Sequence, residues 1–136
     1  MKKPILGIAI AVTLLLGACA LTPADHYDNF INDLDAVTRL QTGLQQMEGG
    51  GMTPYVTADM KTLGRELAVF STEDTEIRQI NENFISTARA LRESMEIAEE
   101  DEEAAHALYE AAKTYFDTGF LMFSSLETSG GGRASG

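Results

Sequence analysis

Tryptophan is absent from this chain, and cysteine occurs once, at Cys19. A lone thiol excludes an internal disulfide framework. Proline is held to three positions and histidine to two, His26 and His106. Long stretches are therefore free to run as helix, and few imidazoles remain for metal or acid–base chemistry. Basic side chains are scarce as well: 10 Lys and Arg stand against 21 Asp and Glu, a formal net charge of −11. That argues against a nucleic-acid partner, because a phosphate backbone is held by clustered Lys and Arg. There is no Gly-x-Ser-x-Gly elbow, no Gly-rich loop following a strand, and no Cys-x-x-Cys-His. Neither a nucleophilic triad, a phosphate cradle nor covalent haem has its usual signature, so no catalytic residue is assigned and no enzyme is expected.

What is present starts at the N-terminus. Lys2 and Lys3 make a positive start, and residues 5–16 run uncharged and rich in Ile, Leu, Val and Ala. As helix they would span about 18 Å, short of the roughly 30 Å hydrocarbon core of a bilayer. Leu16-Gly17-Ala18-Cys19 comes next. This quartet resembles the lipobox of bacterial lipoprotein precursors, where small residues let a peptidase approach the backbone. The resemblance covers residues 1–20. It implies a signal peptide over residues 1–18, cleavage directed by Leu16, Gly17 and Ala18, and acylation of Cys19 by diacylglyceryl and, usually, an N-acyl chain such as palmitate. Two or three such chains anchor a protein stably in a membrane. Apart from that lipid no cofactor is expected. Ala20, not Asp, follows the cysteine. By the sorting rule of enteric-type bacteria this implies an outer-membrane, periplasm-facing protein, and in a Gram-positive host the outer face of the only membrane.

Cleavage would leave residues 19–136, which is 118 residues carrying all 21 acids and eight of the ten bases, a side-chain sum of −13. At 44% hydrophobic the chain is too apolar for disorder and long enough for one core. Four apolar-periodic segments are legible, with almost no strand alternation. Thr22, Pro23 and Asp25 form a helix start with a capping box, followed by Tyr27, Phe30, Ile31, Leu34, Val37, Leu40, Leu44 and Met47 at helical steps up to the glycines at 49–51. A second start at Thr53-Pro54 leads into Val56, Met60, Leu63, Leu67 and Phe70. A third segment aligns Ile77, Ile80, Phe84, Ala88, Leu91, Met95 and Ala98, and a fourth Ala105, Leu108, Ala112, Tyr115, Gly119, Met122 and Leu126. No Gly or Pro separates the last two, so one long C-terminal helix is the alternative. A turn at Glu100-Asp101 is preferred, because Asp101 is costly on a buried seam and favourable as an N-cap. Residues 102–115 also look like the second helix of a tetratricopeptide unit, but no second copy exists and no function is carried over.

The expectation is an all-α, up-down bundle of four helices over residues 23–48, 54–70, 73–99 and 102–127, with a Gly/Ser-rich disordered tail over 128–136. Only Ala20 and Leu21 separate Cys19 from the first cap, so the bundle should stand close on the membrane. The 49–51 loop and the 99–103 turn would form its distal tip. Within that frame Glu99, Glu100, Asp101, Glu102 and Glu103 are a candidate docking turn for a basic partner, against the plainer reading of a solvated, helix-capping turn. Phe116, Phe120 and Phe123 form a second aromatic stripe, read either as core or as a partner patch near the membrane. Glu103-Ala104-Ala105-His106 has the Glu-x-x-His spacing of di-iron bundles, but its second copy is missing and His26 lies at the other end. No metal ligand is assigned; a haem on His106 with Met95 or Met47 is the best version of a cofactor site. Gly64 and Gly119 inside helices suggest close helix contact. The functional expectation is a non-catalytic interaction or accessory subunit of an envelope assembly. The rivals are a small-ligand or metal/haem-binding periplasmic bundle and a structural lipoprotein that oligomerises.

Overall fold

A computed structural model of the protein describes residues 21–50 and 53–128. Cys19, the cleavage residues Leu16, Gly17 and Ala18, and tail residues 129–136 lie outside the described residues. Among the described residues all regular structure is helical and no strand forms, giving a small bundle built from α1 (Pro23–Leu34), α2 (Ala36–Glu48), α3 (Pro54–Ala68), α4 (Thr75–Ile97) and α5 (Glu102–Ser124). No helix among them is long and apolar enough to cross a membrane.

Each start is fixed by local chemistry. Thr22 Oγ1 accepts from the Asp25 amide at 3.1 Å and the Asp25 carboxylate accepts from the Thr22 amide at 2.9 Å, a complete capping box with Pro23 in the first turn. Thr53, Asp74 and Asp101 cap α3, α4 and α5 by accepting from Val56, Ile77 and Ala104. The last of these separates α4 from α5, with Glu102 and Glu103 in a first turn whose dipole favours acids.

The single helix expected over residues 23–48 is broken. Asp35 adopts the left-handed conformation at φ 54°, ending α1 and starting α2. Aspartate tolerates that region better than most residues, so no glycine marks the site. The break also changes the phase of the apolar face: Tyr27 and Ile31 are buried before it, Ala36, Leu40 and Gly43 after it. Arg39 braces the joint. Its guanidinium donates to the Leu34 carbonyl at 3.1 Å, to both Asp59 oxygens at 2.6 and 3.1 Å, and to Glu66 at 2.9 Å. One side chain thus satisfies a carbonyl at the end of α1 and ties α2 to α3.

The core follows the helical steps. In α3, Val56, Met60, Leu63 and Leu67 are buried; in α4, Ile77, Ile80, Phe84, Ala88, Leu91 and Met95. The seam of α5 differs from the one anticipated. It runs Ala105, Tyr109, Ala112, Phe116, Gly119 and Phe123, with Leu126 buried just beyond the helix, while Tyr115 is exposed and Leu108 and Met122 are half-buried. The apolar surface of α5 is wider than one stripe, and packing selects the face that buries the two Phe rings, because ring area is the larger gain. A polar relay crosses this core. The Tyr27 hydroxyl donates to Asn81 Oδ1 at 2.9 Å, and Asn81 Nδ2 donates to the Leu67 carbonyl at 2.9 Å near the end of α3. Tyr27 also packs edge-on against Phe70 and Phe123.

Candidate functional site

The end of α2 and the α4–α5 turn meet at one end of the bundle and border an open cavity of about 540 Å³. Met47, Ala98 and Ala105 give it an apolar floor; Glu48, Glu99 and Glu102 stand on its rim, with His106 and Tyr109 on the α5 side. Beneath it Ser94, fully buried, donates to the Ala105 carbonyl at 2.6 Å and pins α4 to α5. The cavity is therefore fixed by a hydrogen bond in its foundation as well as by the turn itself.

Its electrostatics are one-sided. None of Glu48, Glu99 and Glu102 forms an ion pair within the described residues. Burial pushes the Tyr109 hydroxyl above its usual pKa, the nearby Glu48 and Glu110 push the same way, and Lys113 opposes them. Tyr109 is thus a neutral hydrogen-bond donor at physiological pH, with the Lys113 ammonium 5.5 Å from its ring centre. His106 stands on the rim, 69% exposed, with Nε2 3.6 Å from Glu110 Oε1. Chemically the arrangement offers a shallow apolar pocket ringed by free carboxylates, suited to a cationic group on an apolar stem.

The acidic turn is only partly drawn into this site. Glu99 and Glu102 line the cavity, Asp101 is spent as the α5 cap, and Glu100 and Glu103 are exposed away from the lining. Met47, Glu48 and Tyr109 join it from positions that the charge run alone does not reveal. The aromatic stripe divides. Phe116 and Phe123 are buried against Phe84, with ring centres 6.3 and 5.8 Å away, whereas Phe120 is 39% exposed and stacks on Phe116 at 5.6 Å. A continuous exposed patch of Phe116, Phe120 and Phe123 is therefore not formed; two of its three rings are core. Among the described residues no group of three or more His, Cys, Asp or Glu side chains is placed to hold a metal. Comparison with protein-family models, with curated proteins and with solved structures finds no match for this chain.

The opposite end of the bundle gathers the start of α1 (Thr22, Pro23), the start of α4 (Asp74, Glu76) and the end of α5 (Ser125, Leu126) around a second cavity. α5 alone, at 23 residues, separates the two ends by about 34 Å.

Proposed function

We propose that this chain is a lipid-anchored envelope protein, cleaved after Ala18 and acylated on Cys19, that acts without catalysis as an interaction or accessory subunit of an envelope assembly. The observation that carries the reading is the acid-rimmed cavity at the end of the bundle remote from Thr22. Three residues of chain reach no more than about 11 Å, so an anchor on Cys19 holds the Thr22 end at the membrane and turns the cavity outward. A basic, partly apolar segment of a partner protein fits it by charge and shape. The rival haem or metal reading would use His106 with Met47, which share the cavity. The donor set favours docking: one imidazole, on the rim and turned toward Glu110.

The test is photo-crosslinking in the native envelope from a reactive residue at position 106, with position 86 on α4 as control. A discrete adduct is expected from position 106 only. It should disappear in Glu99→Lys/Glu102→Lys and persist in Glu73→Lys/Glu76→Lys, which changes net charge equally at the other end. Equal adducts from both positions, or an adduct indifferent to Glu99 and Glu102, would refute the reading. So would metal or pigment bound stoichiometrically to the purified protein.

A further inference from the structure

A groove of about 320 Å³ runs along the side of the bundle between α3 and α4. Met60, Gly64, Ala68 and Ile85 form its floor, and Lys61, Arg65, Arg89 and Arg92 its rim. The described residues hold seven Lys and Arg, and four of them converge here. Arg92 is neutralised by Glu96 at 3.1 Å and Glu93 at 3.8 Å. Lys61, Arg65 and Arg89 form no ion pair within the described residues. Lys61 and Arg65 are like charges one turn apart on α3, an arrangement that costs helix stability even though Arg65 in the last turn suits the dipole.

Gly64 gives an independent indication. Three glycines sit inside helices, and two have a packing reason. A Cβ on Gly43 would meet Met60 Sδ at 2.9 Å, and one on Gly119 would meet the Asn83 Cβ at 2.9 Å. A Cβ on Gly64 would meet only the Ala88 Cβ, at 3.9 Å, so α3 and α4 would pack equally well around alanine. The helix-propensity penalty of glycine is not repaid inside the protein at this position. Its effect is to lower the floor of the groove, where a backbone from outside can come close. The cations also have the right spacing: Lys61 and Arg65 are one turn apart on α3, Arg89 and Arg92 one turn apart on α4. Two such rows match a helix bearing carboxylates one turn apart beside a small, apolar face. The acidic remainder of the surface repels a flat anionic membrane but not a single helix lying in the groove.

We propose that the α3–α4 groove receives an acidic amphipathic helix of a partner protein, close over Gly64, with its carboxylates on Lys61, Arg65 and Arg89. This rests on the interaction-subunit reading and adds a second docking face, opposite in charge to the tip. The probe is a fluorescent synthetic helix of about 18 residues, with Glu one turn apart beside Ala and Leu, titrated by anisotropy against the full chain. Binding should weaken as salt rises. Arg65→Glu/Arg89→Glu should lower affinity about tenfold or more, whereas Arg89→Lys retains most of it. Gly64→Ala should also weaken binding while raising the thermal midpoint, so that lost binding is not lost folding. Unchanged binding in both Gly64→Ala and the charge-reversed variant would overturn the proposal. So would a response confined to phosphatidylglycerol vesicles, or sedimentation showing the groove closed by a second copy of this chain and released by Arg65→Glu. Failure here leaves the position-106 adduct standing, so the two readings fail separately.

Discussion

Replacing Gly64 and Gly119 separately with alanine should move stability in opposite directions. In a helix interior alanine is favoured over glycine by about 0.8–1 kcal/mol. At Gly64 that gain survives, because the added Cβ makes only an ordinary 3.9 Å contact with the Ala88 Cβ. Gly64→Ala should stabilise by roughly 1 kcal/mol, about 4 °C in Tm for a domain of this size. At Gly119 the added Cβ would stand 2.9 Å from the Asn83 Cβ and 3.1 Å from two ring carbons of Phe84. The Asn83 Cβ is fixed directly to the α4 backbone and cannot swing aside. Phe84 is fully buried between Phe116 and Phe123. α5 must therefore back away from α4, at an overpacking cost of about 1–3 kcal/mol. Less the propensity gain, Gly119→Ala should lose about 1 kcal/mol. Urea unfolding followed by far-ultraviolet circular dichroism reads both. Shifts of the same sign, or a Gly64→Ala protein less stable than the parent, would refute the reasoning about which helix contact is tight.

Tyr27→Phe should cost about 1–2 kcal/mol at neutral pH by leaving Asn81 Oδ1 without its buried donor. Burial raises the Tyr27 pKa, so above about pH 10 the unfolded chain releases the proton while the folded chain still holds it, and stability falls as pH rises. Alkaline unfolding of the Tyr27→Phe protein should accordingly be shallower; an equally steep decline would show that this hydroxyl is not responsible. Phe123→Ala removes a fully buried ring and should cost about 3–5 kcal/mol. Phe120→Glu, at an exposed position, should cost under about 1 kcal/mol and leave helicity intact; the reverse order in thermal melts would mean that the α5 register is wrong.

Sequence periodicity was most informative where a helix buries a single narrow stripe. The steps of α3 and α4 can be read directly, since Val56, Met60, Leu63 and Leu67 and then Ile77, Ile80, Phe84 and Leu91 are the residues that become buried. On α5 the periodicity favours Tyr115 and Met122 over Phe116 and Phe123, because apolar residues surround the helix and only packing against α4 decides between two faces one residue apart. The break at Asp35 had no Gly or Pro to announce it; the brace that secures it, Arg39 on Asp59 and Glu66, joins residues 20 and 27 positions apart. The acid run marked the tip, but Met47, Glu48 and Tyr109 entered the cavity only through the meeting of α2 with α5. The basic groove was hidden for the same reason. Lys61/Arg65 and Arg89/Arg92 are unremarkable pairs on separate helices until α3 and α4 lie side by side.

The proposed arrangement anchors the chain at one end of the bundle and presents the acid-rimmed cavity at the other. It is tested most directly by fluorescence quenching depth in lipid vesicles, with a single reporter cysteine introduced as Gly50→Cys or as Thr128→Cys in the processed protein. Acylated Cys19 should take no thiol-reactive dye, the position-128 label should be quenched by lipid-phase quenchers, and the position-50 label should stay beyond their reach. A position-50 label nearer the lipid than the position-128 label, or a Cys19 that labels freely, would contradict the account.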